Sequence, residues 1–81
     1  PLVNFAFLDG AHIYEDVLYE FNIISERQKK GDVVVFDDYN EKKFPGVVNA
    51  VKKIARSKKY DILIVPNKNT LRDYVIAKKV N

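Results

Sequence analysis

Apolar residues run almost unbroken from Leu2 to Leu8 and stop at Asp9-Gly10. A run this short and continuous predicts a strand buried on both faces, because a half-exposed strand would alternate apolar and polar positions. From Ile13 the spacing changes. Ile13, Val17, Phe21 and Ile24 fall on one stripe with Leu18 beside it, and Glu15 and Asp16 suit the positive end of a helix dipole. Lys29 and Lys30 complement the other end of this helix, and Gly31 offers a left-handed stop before a second buried strand, Val33-Val34-Val35-Phe36. Asp37-Asp38-Tyr39-Asn40 and Glu41-Lys42-Lys43 predict a loop. Pro45 then fits the first turn of a second helix with the stripe Val48, Val51, Ile54 and Ala55, ending near Lys59. Ile62 to Val65 predicts a third strand, Pro66 to Arg72 holds turn formers, and Tyr74 to Val80 predicts a fourth strand pairing antiparallel with the third.

The resulting order is β-α-β-α-β-β, an α/β fold in a single unit over residues 1–81 with no repeat or linker. Strand-helix-strand units of this length give parallel neighbours with right-handed crossovers, so the first three strands should run parallel. If the sheet progresses in one direction, both helices lie on one face and the other face of the apolar strands is bare. The missing cover is expected upstream in a longer protein, since the chain has no Met and its first strand starts at residue 2. A homodimer through the bare face, or exchanged helices, could cover it instead.

Composition narrows the chemistry. Hydrophobic residues at 47% and charged residues at 31% indicate an ordinary globular chain, and no apolar run approaches the roughly 20 residues that span a bilayer. A cytoplasmic, membrane-free setting is the expectation. Zero cysteines exclude disulfides and thiolate metal sites, so any metal must take oxygen or histidine ligands. The net charge of +3 conceals a split: residues 1–40 carry eight acids and three bases, residues 41–81 three acids and eleven bases. Lys52, Lys53, Arg56, Lys58 and Lys59 admit a nucleic-acid reading, yet they also suit a solvated helix face and a cationic last turn, which is the favoured reading.

Ligands of parallel α/β sheets collect at the carboxyl ends of the strands, so acids there carry more meaning than acids elsewhere. Asp9 follows the first strand, and Asp37 and Asp38 follow the second. If these strands are neighbours, roughly 4.8 Å apart, three carboxylates converge, and a hard divalent cation such as Mg²⁺ would relieve their repulsion. Taken singly, Asp-Gly and Asp-Asp also read as turn or cap residues. Asp32 and Asp61 precede their strands and belong at the opposite end of the sheet. His12, the single histidine, lies three residues beyond Asp9 and can reach the same region as a proton acceptor, or serve as a cap. Tyr14 and Tyr39 fit packing better than lining of a site.

Phe5-Ala6-Phe7-Leu8-Asp9-Gly10-Ala11-His12-Ile13-Tyr14-Glu15 resembles the F-[IL]-D-G-x-H-x-Y-E segment of class I S-adenosylmethionine-dependent methyltransferases. Gly31 to Tyr39, with Phe44-Pro45-Gly46-Val47 and Ala50-Val51, resembles the next strand and helix of the macrocin-type O-methyltransferases, and Asp73 to Lys79 is similar to the last strand of that fold. The resemblance implies a partial Rossmann-like sheet, the C-terminal half of the family's domain. In it the four strands take the order 1-2-4-3, with the last antiparallel. It further implies that Asp9, Asp37 and Asp38 match metal-ligand positions, that His12 matches a general base, and that the full-length protein uses S-adenosylmethionine and a divalent cation to methylate a small-molecule hydroxyl. The family's glycine-rich cofactor turn is absent, and Gly10, Gly31 and Gly46 form no G-x-G-x-x-G pattern, so no cofactor-binding residue is assigned and this chain alone is expected to be inactive. A phosphoacceptor receiver domain fits less well, because its aspartate pair comes on the first strand. A non-enzymatic α/β interaction module, binding acidic partners through its basic second half, is the alternative.

Overall fold

A computed structural model describes residues 1–69 and 72–81. The elements are β1 (Phe5–Leu8), α1 (Tyr14–Ser25), β2 (Val33–Tyr39), α2 (Pro45–Arg56), β3 (Tyr60–Val65) and β4 (Asp73–Lys79). They form one four-stranded sheet in the order β1-β2-β4-β3. β1 pairs parallel with β2, and β4 pairs antiparallel with both β2 and β3, so β1, β2 and β3 share one direction. This is the expected order, with the last strand inserted antiparallel. Of the turn expected over Pro66 to Arg72, residues 70 and 71 lie outside the described residues.

Both helices cover the same face. Register builds two rows on it, Ala6-Val34-Ala77-Ile62 and Leu8-Phe36-Val75-Ile64, each crossing all four strands. Val17 and Phe21 of α1 and Val47, Ala50, Val51 and Ile54 of α2 pack onto the buried part of these rows and form the core. Phe21 anchors it, stacking on Phe36 at 6.0 Å between centroids and meeting Tyr60 edge-on at 5.0 Å. On the opposite face the row Phe7-Val35-Ile76-Leu63 also crosses the whole sheet, and no element of the described chain covers it. Phe5, Phe7 and Leu63 are 63%, 46% and 59% exposed, so β1 is two-sided in sequence but buried on one side only here.

Several boundaries differ from the pattern. β1 begins at Phe5 rather than Leu2, whose side chain is exposed. Ile13 is the exposed residue preceding α1, not part of its buried stripe, and Ala55 is likewise exposed. α1 stops at Ser25, short of Lys29, Lys30 and Gly31, because the residues after it are engaged elsewhere. The Arg27 carbonyl accepts from the Val3 amide, while buried Gln28 donates to the Val33 carbonyl and accepts the Tyr60 hydroxyl at 2.6 Å. Gly31 does take a left-handed conformation, φ 97°, but at the entry to β2. Asp37 and Asp38 lie inside β2, not in a loop, because β4 extends far enough to pair Asp73 with Tyr39 and prolong the ladder. β3 begins at Tyr60, so Asp61 is its second residue and exposed, still at the amino end.

Asp32 occupies the amino end of β2 and is buried. It accepts the Lys29 amide at 2.8 Å and the Asn4 side-chain amide at 3.1 Å, which ties the start of β1 to the turn before β2. The Lys29 hydrogen bond holds its carboxyl below the ordinary 3.8; burial opposes this, and the Asn4 bond adds to it. A carboxyl with a depressed folded pKa contributes stability above its unfolded value and loses it as pH falls through the folded one. Asp32→Asn should therefore lower the denaturation midpoint at neutral pH, with the gap from wild type closing below about pH 3.8. Urea titrations across the acid range measure this directly.

Candidate functional site

Parallel pairing leaves the carboxyl ends of β1 and β2 side by side, with Leu8 opposite Phe36. The segment after β1 carries His12, and the segment of β2 beyond Phe36 carries Asp38. Between Phe36 and Tyr39 the β2-β4 register shifts, and Asp38 adopts a left-handed conformation with φ 62°. Aspartate tolerates this region better than most residues. Such an irregularity at a strand end re-aims a side chain. Here Asp38 is only 6% exposed, beneath the first turns of the helical layer.

His12 Nε2 lies 2.8 Å from Asp38 Oδ2. As a carboxylate Asp38 can only accept, so Nε2 donates the hydrogen bond, and in the neutral ring the lone pair is then on Nδ1. The imidazole rests on the Phe44 ring, 4.2 Å between centroids, which fixes its plane from a second side. Arg72 approaches from the start of β4: its guanidinium stands 3.5 Å from Asp38 Oδ1 and 5.5 Å from the centre of the Phe44 ring. Asp38 Oδ1 is buried and has no hydrogen-bond partner among the described residues. His12 keeps 42% of its side chain exposed, so the pair opens to solvent on the histidine side.

The other two expected ligands stand apart from this pair. Asp37 turns one carboxylate oxygen onto the amide of Asp38, at 2.7 Å. Asp9 is exposed at the end of β1. No group of three His, Cys, Asp or Glu side chains among the described residues is gathered closely enough to hold a metal ion. The cation facing the buried Oδ1 of Asp38 is the Arg72 guanidinium, and the three carboxylates are not gathered around a common point among the described residues. Tyr14 and Tyr39 are half-buried against the core, and burial first, then Glu41 and Asp73, pushes the Tyr39 phenol above its ordinary value, which keeps it a neutral hydroxyl.

Three contributors escaped sequence reasoning: Arg72, Phe44 and Gly46. Arg72 reaches the site only because β4 inserts beside β2, a non-local pairing. Gly46 opens α2 directly against the backbone of the β1-α1 segment, and a Cβ there would collide with the His12 carbonyl and stand 2.8 Å from the Tyr14 amide nitrogen. Pro45, just before it, supplies the fixed φ of a first helical turn. Only glycine lets α2 come this close, and that approach holds the His12 segment in place.

No family model matches the chain. Over 53 residues it is 40% identical to the uncharacterized protein R132 of Acanthamoeba polyphaga mimivirus, a match covering 64% of this chain and 24% of that protein. The chain therefore spans about a quarter of the length of the relative it matches. No solved structure matches.

Gly46→Ala should destabilise the fold by about 1–3 kcal/mol, the usual cost of inserting an atom into a closed contact. It should also shift or broaden the His12 ring resonances. Asn49→Ala, one turn further along α2 and exposed, should do neither, as thermal melts and NMR spectra of the two variants would establish.

Proposed function

We propose that this chain is the C-terminal part of an S-adenosylmethionine-dependent methyltransferase that transfers a methyl group to a hydroxyl of a small molecule, with His12 as the proton acceptor. The observation that carries this reading is the His12-Asp38 pair at the adjoining carboxyl ends of β1 and β2, where ligands of parallel sheets bind. The strand order, with an antiparallel last strand between the second and third, supports it. So do the segments Phe5 to Glu15 and Gly31 to Tyr39, which resemble those of class I methyltransferases.

In this reading Asp38 holds the imidazole in the tautomer that leaves Nδ1 free to take a proton from the acceptor hydroxyl. Phe44 keeps the ring from rotating, and Arg72 balances the buried carboxylate. The cofactor, when bound, would supply the methyl group: the oxygen freed of its proton would form the new O–C bond as the sulfonium's S–C bond breaks and the thioether leaves, with no covalent bond to the protein. Asp9, Asp37 and Asp38 are not gathered around one point among the described residues; in the full-length protein they would have to be drawn together to hold a divalent cation, Mg²⁺ first, which would supply a lowered pKa to a bound hydroxyl. Cofactor binding belongs to sequence outside residues 1–81, whose further strands and helices would also cover the Phe7-Val35-Ile76-Leu63 face; a second copy of the chain is the other candidate cover. No helix among the described residues is long and apolar enough to cross a membrane, and the proposed setting is the cytoplasm.

The test is methyl transfer from labelled S-adenosylmethionine by the full-length protein across a panel of small hydroxyl compounds. His12→Ala should lower kcat by about 10²–10⁴-fold, the range for removing a general base, with the KM for cofactor unchanged. Asp38→Asn should lower both activity and its dependence on added Mg²⁺. Undiminished turnover in the His12→Ala enzyme would exclude the histidine base. Calorimetry of residues 1–81 alone should show no cofactor binding; tight binding would contradict the assignment to a partial domain.

A further inference from the structure

Between Glu41 and Asp61 the chain holds seven cations, Lys42, Lys43, Lys52, Lys53, Arg56, Lys58 and Lys59, and no acid. All seven are exposed, and none forms an ion pair among the described residues. α1, packed beside α2, carries the acids Glu15, Asp16 and Glu20 and no cation, so these seven cations lie on α2 and the segments that flank it. A solvated helix face with no assigned partner ordinarily mixes both signs; this one does not.

One groove on this surface adds specific chemistry. Asn49, Lys52 and Arg56 are three and four residues apart on α2 and share a face. With Tyr14 from the first turn of α1 they line a depression of about 260 Å³. Tyr14 is half-buried, packed against the core but also forming part of this wall. Two cations, one amide and one aromatic ring therefore stand together on the solvent side of the helical layer.

We propose that the α2 face and this groove bind single-stranded nucleic acid. Lys52 and Arg56 would take consecutive phosphates, since side chains one turn apart lie about 5–6 Å from each other at Cβ. Tyr14 offers a base an aromatic surface, as single-strand binding commonly requires, and the Asn49 amide can both donate to and accept from a base edge. An acidic polypeptide would satisfy the cations and the Asn49 amide but would bring no planar base to the Tyr14 ring. At about 1.5 Å per residue, α2 is roughly 18 Å long, room for a few nucleotides. The site uses neither His12 nor Asp38 and does not depend on the methyl-transfer reading.

The experiment is fluorescence anisotropy of a short labelled single-stranded oligonucleotide with residues 1–81, titrated between about 50 and 200 mM salt. Lys52→Gln with Arg56→Gln should weaken binding about tenfold or more and reduce the slope of log affinity against log salt by about 1.4, the value for two lost single-strand phosphate contacts. Lys30→Gln with Lys78→Gln removes the same charge elsewhere on the exposed surface and should change affinity far less. Circular dichroism checks that both pairs fold. Equal weakening by the two pairs would reduce the effect to bulk charge and overturn the site. Competition by polyglutamate as effective as by unlabelled oligonucleotide would assign the face to an acidic protein instead, and absence of binding at the lowest salt would also refute the proposal.

Discussion

In a parallel strand pair both chains leave the sheet at the same end, so whatever follows β1 must share space with whatever follows β2. That constraint places His12 against Asp38 in a chain where 26 positions separate them. It also dictates that each crossover helix return over the sheet, and right-handed crossovers put α1 and α2 side by side on one face. The core, the bare opposite face and the candidate site are three consequences of this one pairing. Asp32 secures it from the amino end by binding the Lys29 amide and the Asn4 side chain.

The close approach of Gly46 to the His12 carbonyl transmits this arrangement from backbone to chemistry. Without it the β1-α1 segment would lose its backbone contact with α2 and keep only the His12-Asp38 bond to β2, and the imidazole would lose the Phe44 ring that leads into α2. The site is therefore built from two loops pressed together by a helix start, with the carboxylate supplied by an irregular strand end. Left-handed Asp38 is the strained member, stabilised by the His12 hydrogen bond and the Arg72 charge. Substituting glycine there would relieve the backbone and remove the carboxylate that holds His12 in one step, so strain and the hydrogen bond reside in the same residue.

Much of the architecture is legible in the sequence because it follows from local periodicity. Val17 and Phe21, Val48, Val51 and Ile54, and the strands around Val34, Ile62 and Val75 are marked by spacing alone. Segment ends are less legible. α1 ends at Ser25 because Gln28 bonds to Tyr60 and Val33, contacts made across the sheet that no local signal announces. For the same reason Asp37 and Asp38 read as a loop although β4 draws them into a strand. At the site, His12 and Asp38 could be picked out by their positions after strands. Arg72 and Phe44 could not, since each reaches the pair through tertiary placement, and the three-carboxylate arrangement expected at Asp9, Asp37 and Asp38 depends on side-chain directions that sequence does not encode.

Asp38 fixes the tautomer of the His12 ring, and long-range ¹H–¹⁵N correlation of that ring, followed upward in pH until it is neutral, measures this most directly. With only one histidine in the chain the spectrum is unambiguous. Once the ring is neutral it should show a protonated, pyrrole-like Nε2 and an unprotonated, pyridine-like Nδ1, with this distinction collapsing toward averaged shifts in Asp38→Asn. A neutral ring protonated at Nδ1, or averaged shifts already in the wild-type chain, would contradict this.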